Sequence, residues 1–261
     1  MEYNYPKFTP EMKQTHTILI PNMAITQFRL LEYALRYDGY KCEILGNCGS
    51  AVAQLGLKYV HNDTCYPALL VIGQFLDALN SGKYDLDHTA LLITQTGGGC
   101  RASNYIHLLR KALEKAGMGY IPVISISFGL EKNPGFHLTI PLLRRLIYAM
   151  MYGDLIMNVA NQVRPYEVNA GETDALVETW KNRLIDRFQQ GKGMSRKQMQ
   201  EGFKEICDEF KAVPAENFGS KVRVGVVGEI YVKFSSLGNN QLEKFLLSEG
   251  AEPVVPGLTD F

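Results

Sequence analysis

The sequence predicts an α/β protein. It should contain a parallel-sheet lobe of the Rossmann or flavodoxin type, then a helical segment, then the start of a second α/β lobe. In the first half of the chain, short apolar runs alternate with stretches of helical periodicity, an order typical of βαβ units with parallel strands. After residue 136 the pattern becomes almost wholly helical, and past residue 220 short strand-like runs return. These changes predict three segments: 1–136, 137–213 and 220–261.

The first βαβ unit is predicted from residues 17–45. A strand over 17–21 precedes a helix over 25–37, and a further strand covers 42–45. Asp38-Gly39-Tyr40 should end the helix. The apolar residues predicted to share its buried face are Ile25, Phe28, Leu31 and Leu35.

The other elements follow from the same periodicities. Helices are expected over 50–57, 66–79 and 104–116, and strands over 91–94 and 122–126. At least three helices should fill 137–212, broken near residues 164–165 and 191–193. The last segment should hold strands over 222–227 and 251–255 around a helix over 239–248. At about 40 residues it is far shorter than the roughly 100 of a doubly wound domain, so we expect either that this lobe is truncated or that its strands complete another sheet.

Composition excludes several classes of protein. Lys+Arg 27 balances Asp+Glu 27, which argues against a nucleic-acid partner. No run approaches the roughly 20 apolar residues of a membrane span, so no membrane partner is expected. The N-terminus lacks the apolar core of a secretory signal. Five widely spaced cysteines suit a reducing cytoplasm rather than a disulfide framework, so we expect a cytoplasmic protein.

Two cysteines stand where a loop is predicted to become a helix. Cys65 lies in HNDTCYP (61–67), and Cys100 lies in TQTGGGCRASNY (94–105) after a predicted strand. Such positions meet at the carboxyl edge of a parallel sheet, where ligands bind. A helix N-terminus favours a thiolate, and thiolates bind soft metals and iron–sulfur clusters. The residues alone leave open a metallocluster, redox chemistry or neither.

Three consecutive glycines, Gly97, Gly98 and Gly99, precede Cys100. They cost backbone entropy, so this loop should need unusual dihedral angles or a close approach to a bulky group. The run lacks the spacing of a dinucleotide fingerprint or a P-loop, which disfavours a nucleotide site. Arg101 could stabilise a thiolate, the negative charge of a cluster, or an acidic substrate. The alternative is an ordinary glycine turn beside a buried cysteine.

The remaining cysteines are weaker candidates. Cys48 follows a predicted strand and could join the site as a further ligand. Cys42 lies within a predicted strand and Cys207 within a predicted helix, so both are expected to serve packing. No CxxC pair is present, which disfavours thioredoxin-like chemistry. The polar residues around the two cysteine loops have a simpler interpretation as helix caps, namely Asp63, Ser103 and Asn104.

The cysteine segments GLKYVHNDTCYP (56–67) and QTGGGCRASNY (95–105) closely resemble the 2-hydroxyacyl-CoA dehydratase-like family. The nearest branch occurs in proteins described as CoA-substrate-specific enzyme activases, related to activators of 2-hydroxyglutaryl-CoA dehydratase. The similarity covers nearly the whole chain. It continues through PVIS (122–125), NPGF (133–136), RPYE (164–167) and VGVVGEI (224–230).

The resemblance implies an iron–sulfur cluster, a [4Fe–4S] centre, with Cys65 and Cys100 among its ligands and Cys48 as a candidate third. It implies low-potential electron transfer linked to dehydration of a 2-hydroxyacyl-CoA or a related reduction. The implied partners are an ATP-dependent activator, an acyl-CoA substrate and a further subunit in a homo- or hetero-oligomer. Catalytic residues are not assigned, and neither a lyase nor a reductase component is singled out.

Two departures from the family keep other functions open. The family's second lobe typically supplies a third cysteine, and residues 221–261 contain none. The activator's ATPase module is also missing, so the chain cannot be its own ATP-driven reductase. One alternative is a non-catalytic regulatory or scaffold fragment that docks the activator. Another is a double-cubane-type reductase of small molecules, which would need more cysteine ligands than Cys65 and Cys100.

Overall fold

The computed structural model describes residues 5–61, 63–95, 101–126 and 134–260. The chain divides into two compact units. Unit 1 comprises Met1–Asn22 and Gly39–Leu138, and unit 2 comprises Met23–Asp38 and Thr139–Phe261. The helical segment and the short C-terminal α/β segment therefore belong to one unit, together with the first long helix of the chain.

The strands are β1 (Thr17–Ile20), β2 (Cys42–Ile44), β3 (Thr89–Thr94), β4 (Val123–Ile126), β5 (Arg223–Gly225) and β6 (Glu252–Val254). The helices are α1 (Met12–Thr15), α2 (Ile25–Tyr37), α3 (Ser50–Tyr59), α4 (Tyr66–Asn80), α5 (Tyr105–Lys115), α6 (Ile140–Val163), α7 (Glu172–Gln189), α8 (Arg196–Lys211), α9 (Ile230–Phe234) and α10 (Leu242–Ser248). Within the described ranges no helix is long and apolar enough to cross a membrane.

Unit 1 is built on a four-stranded sheet in the order β2-β1-β3-β4, and every pair is parallel. This confirms the predicted α/β class. Strand β2 lies on one side of β1, whereas β3 and then β4 lie on its other side. The order therefore reverses between β1 and β3, which makes the carboxyl edge there a topological switch point. Cys42 is 2% exposed in β2, which confirms its predicted place in the core.

Helices α3 and α4 cross at two glycines, Gly56 and Gly73. A Cβ atom on Gly73 would overlap the carbonyl oxygen of Val52, and one on Gly56 would overlap that of Leu69. Each glycine therefore lets the backbone of one helix lie against the backbone of the other. Because both contacts involve main chain, they set the crossing point of the two helices, and α4 is the helix that Cys65 precedes.

Unit 2 contains a helical core formed by α2, α6, α7 and α8. Its largest fully buried side chains are Tyr152, Trp180, Phe188 and Phe210. The predicted buried face of α2 is wrong at one position, because Ile25 is 57% exposed. Strands β5 and β6 form a separate two-stranded parallel sheet in the same unit, and their pairing joins residues 223–225 to 252–254.

The buried phenol of Tyr152 predicts a loss of stability at alkaline pH. Burial disfavours the phenolate and raises the pKa of Tyr152 to about 12. In the unfolded chain the same group titrates near pH 10, so its contribution is intact below about pH 10 and is lost as the pH rises toward 12. Between pH 10 and 12 we expect this group to lower the unfolding free energy of the wild type by up to about 1.4 kcal/mol per pH unit. Tyr152→Phe lacks the hydroxyl and should not show this part of the decrease.

Urea denaturation at pH 8, 10 and 11 would measure this effect. Tyr120→Phe removes a hydroxyl from a side chain that is 51% exposed and serves as the control. Equal pH dependence in wild type and Tyr152→Phe would contradict the prediction.

Candidate functional site

The candidate site lies in unit 1, beyond the carboxyl end of β3. Cys65 immediately precedes α4 as its N-cap residue, with extended backbone angles (φ −66°, ψ 149°). Pro67 occupies the first turn of α4, where a missing backbone N–H has no cost. The predicted placement of Cys65 at a loop-to-helix junction is therefore observed. Its thiol is half-buried and makes no disulfide.

The thiol of Cys65 contacts the hydroxyl of Tyr105. The Sγ atom of Cys65 lies 2.9 Å from the Oη atom of Tyr105, which is a hydrogen-bonding distance. Tyr105 is the first residue of α5, and it follows Cys100 by five positions. Cys65 is therefore in contact with the C-terminal end of the segment that carries the second cysteine motif.

The second cysteine motif is anchored at both of its ends by one side chain. Gln95, just after β3, donates from Nε2 to the carbonyl oxygen of Ser103 at 2.7 Å. Its Oε1 atom accepts a hydrogen bond of 2.9 Å from the hydroxyl of Ser125 in β4. Gln95 and Ser103, near the two ends of the motif, therefore lie together at the edge of the sheet, next to β3 and β4.

Several predicted site residues fall outside this description. Residues 96–100, which include Gly97, Gly98, Gly99 and Cys100, lie outside the described ranges, as does the side chain of Arg101. The backbone of Arg101 begins a 3₁₀ turn, Arg101–Asn104, that leads into α5. This turn is the part of the cysteine motif between Cys100 and Tyr105 that the structure describes.

Cys48 is exposed in the loop after β2. Its neighbour Asn47 donates from Nδ2 to the Gln74 carbonyl at 2.9 Å and to Asp77 Oδ2 at 2.8 Å, both in α4. Gln74 is nine residues along α4 from Cys65, or about 14 Å at 1.5 Å per residue. The described contacts therefore tie the Cys48 loop to the middle of α4, whereas Cys65 stands at its start. A role for Cys48 as a third ligand stays a prediction.

The structure describes the surroundings of two residues that were predicted to cap helices, Asn104 and Asp63. Asn104 is the N-cap residue of α5 but makes no side-chain capping bond. Asp63 pairs with His61 at 3.2 Å between Oδ2 and Nδ1, and both side chains are largely exposed. Asn104 therefore does not form the predicted capping bond, and Cys65 rather than Asp63 is the N-cap residue of α4.

The chemistry of Cys65 fits that of a ligand to a soft metal. Its thiol stands at the start of a 15-residue helix with the Tyr105 hydroxyl beside it, and cysteine sulfur is a ligand that soft metals prefer. Such a hydrogen bond is typical of groups that orient and tune a metal ligand. Within residues 5–61, 63–95, 101–126 and 134–260, no three His, Cys, Asp or Glu side chains gather at one point. Comparisons with protein-family models, with curated proteins and with solved structures found no match to this chain.

Proposed function

We propose that this chain is an iron–sulfur protein in which Cys65 and Cys100 bind one [4Fe–4S] cluster. The observation that supports the proposal is the 2.9 Å contact between Cys65 and Tyr105, because it joins the first cysteine to the end of the second cysteine motif. Both motifs are also those that carry the resemblance to the 2-hydroxyacyl-CoA dehydratase-like family.

In this proposal the surrounding residues stabilise a negatively charged centre. The N-terminus of α4 and the hydroxyl of Tyr105 would lie beside the Cys65 sulfur that binds the cluster and would help to orient it. The amides of Gly97, Gly98 and Gly99 and the guanidinium of Arg101 would hold further negative charge. A bound cluster would supply one-electron, low-potential chemistry. We assign Cys48, or a cysteine from a second chain in an oligomer, as the third ligand.

The activity that fits this centre is low-potential electron transfer in the cytoplasm. An external ATP-dependent activator would deliver the electron, and the reaction served would be dehydration of a 2-hydroxyacyl-CoA or a related reduction. The proposal assigns no contact to an acyl-CoA. The two alternatives, a scaffold without a cluster and a double-cubane-type reductase, differ from it in the number of iron atoms bound.

Anaerobic reconstitution tests the proposal. The whole chain is treated with iron and sulfide without oxygen, and bound iron and acid-labile sulfide are counted per chain. We expect about four of each in the wild type, and a loss of most of the iron in Cys65→Ala and Cys100→Ala. Cys207→Ala, which removes a half-buried thiol from α8, should retain the wild-type content. Tyr105→Phe removes only the hydroxyl beside Cys65 and should keep the iron.

Three outcomes would overturn or change the assignment. If the wild type binds no iron, the scaffold alternative replaces the cluster. If iron persists in both Cys65→Ala and Cys100→Ala, the ligands are wrong. About eight iron atoms per chain would favour the double-cubane alternative. A loss of iron in Cys48→Ala would assign that residue as a ligand, whereas retention would favour a cysteine from another chain.

A further inference from the structure

Unit 2 contains a surface cavity of about 170 Å³ that no step above uses. It is lined by Arg144 and Arg145 of α6, by Tyr37, and by residues at the start of α8 that include Met194, Ser195 and Gln198. The lining offers two guanidinium groups and two hydroxyls, and the nearby carboxylate of Asp38 is paired with Arg145. Its charge is therefore suited to an anion.

The two arginines differ in how they are held. Arg145 is 21% exposed, its guanidinium lies 4.4 Å from the ring centre of Tyr37, and its Nη1 atom is 2.9 Å from Oδ1 of Asp38. These contacts fix Arg145 while leaving other N–H donors of the guanidinium for a ligand. Arg144 is exposed and makes no ion pair with any described residue. Arg145 is thus held by neighbouring side chains, and Arg144 is exposed beside it.

The cavity is also lined by the turn that leads into α8, which is held by hydrogen bonds. Gly191 has φ +69°, and a Cβ atom there would lie 2.8 Å from the Tyr37 hydroxyl oxygen, so the turn can pass close to the ring. The amide of Gly193 donates to Gln198 Oε1 at 3.1 Å, and the amide of Gln198 donates to Ser195 Oγ at 3.3 Å. Because α8 is 16 residues long, its start adds a partial positive charge beside the two arginines.

We propose that this cavity binds a phosphate group, either as inorganic phosphate or as the head of a small phosphate ester. A guanidinium group binds phosphate oxygens through charge-assisted, often bidentate hydrogen bonds, and two such groups line this cavity. The cavity volume of about 170 Å³ is well above the roughly 10–15 Å³ that holds one water molecule, so it has room for a tetrahedral anion. All of the lining residues belong to unit 2, so the proposal does not depend on the cysteine site.

Titration of the full chain with inorganic phosphate tests this site. Chemical shifts of backbone amides are followed at constant ionic strength, with chloride replaced by phosphate. We expect saturable shifts confined to residues 191–198, 144 and 145. Arg144→Gln should weaken binding about tenfold or more, and Arg144→Lys should weaken it less because the charge remains. Lys211→Gln removes an exposed positive charge at the far end of α8 and should leave the affinity unchanged.

Three results would overturn the proposal. The first is the absence of saturable shifts. The second is an equal effect of Arg144→Gln and Lys211→Gln, which would show only general attraction to positive charge. The third is tighter binding of malonate than of phosphate, which would assign the cavity to carboxylates. Saturable binding of glycerol phosphate that is tighter than that of inorganic phosphate would support an ester as the ligand.

Discussion

Gly73→Ala is expected to destabilise unit 1 by about 3 kcal/mol, even though alanine is the better helix former. The added methyl group would overlap the carbonyl oxygen of Val52 and approach the amide nitrogen of Gly56 to 2.9 Å. Both are main-chain atoms, so α3 and α4 must move apart and lose packing along their crossing. The gain of about 1 kcal/mol in helix propensity cannot offset this loss. Urea denaturation of wild type and variant measures the difference.

Gly46→Ala provides the matched control. A Cβ atom at Gly46 meets nothing within 4 Å, and its backbone does not need a positive φ. This variant should therefore remain within about 0.5 kcal/mol of wild type. A Gly73→Ala protein as stable as Gly46→Ala would show that the helices do not cross at these glycines.

Asp154→Ala is expected to destabilise unit 2 by about 3 kcal/mol and to release its C-terminal turn. The carboxylate is 5% exposed and accepts a 2.9 Å bond from the side-chain amide of Gln27. It also accepts the backbone amides of Leu258 and Thr259, at 2.9 and 2.8 Å, and the hydroxyl of Thr259 at 2.7 Å. Alanine would leave four donors without their acceptor. Denaturation measures the energy, and hydrogen exchange at Leu258 and Thr259 measures the release.

The control for this variant is Asp186→Ala, which removes an exposed carboxylate from α7 in the same unit. It should change neither the unfolding free energy nor the exchange of Leu258. If Asp154→Ala were equally neutral, the C-terminal turn would be held by its apolar contacts rather than by this carboxylate.

Helix α2 shows what local sequence could and could not predict. Its bounds, 25–37, are those predicted, because the turn after Tyr37 stops the helix by local geometry. Its buried face includes Gln27 and Glu32, which periodicity assigns to solvent. Gln27 donates to Asp154, 127 positions away, whereas Glu32 pairs with Arg29, only three positions away, at 3.0 Å. Burial of polar groups depends on partners, and distant partners leave no local pattern.

Two further features were not predicted from the sequence, one because the element is short and the other because the contact is long-range. Helix α9 was not predicted because five residues are too few for a helical period to register, although Glu229 caps it at 3.0 Å through the amide of Val232. At the candidate site, the polar loop before Cys65 and Pro67 just after it were enough to expect Cys65 at a helix start. The contact with Tyr105 was missed because it depends on where α4 and α5 project beyond the sheet, and the glycine crossing sets the position of α4.

The two hydrogen bonds of Gln95 also have a thermodynamic consequence. They hold Gln95 and Ser103, which are eight positions apart, in direct contact at the edge of the sheet. Closing a flexible segment of that length costs on the order of 2 kcal/mol of chain entropy. Since folding has already closed the segment, a ligand that binds between its ends does not have to oppose this term.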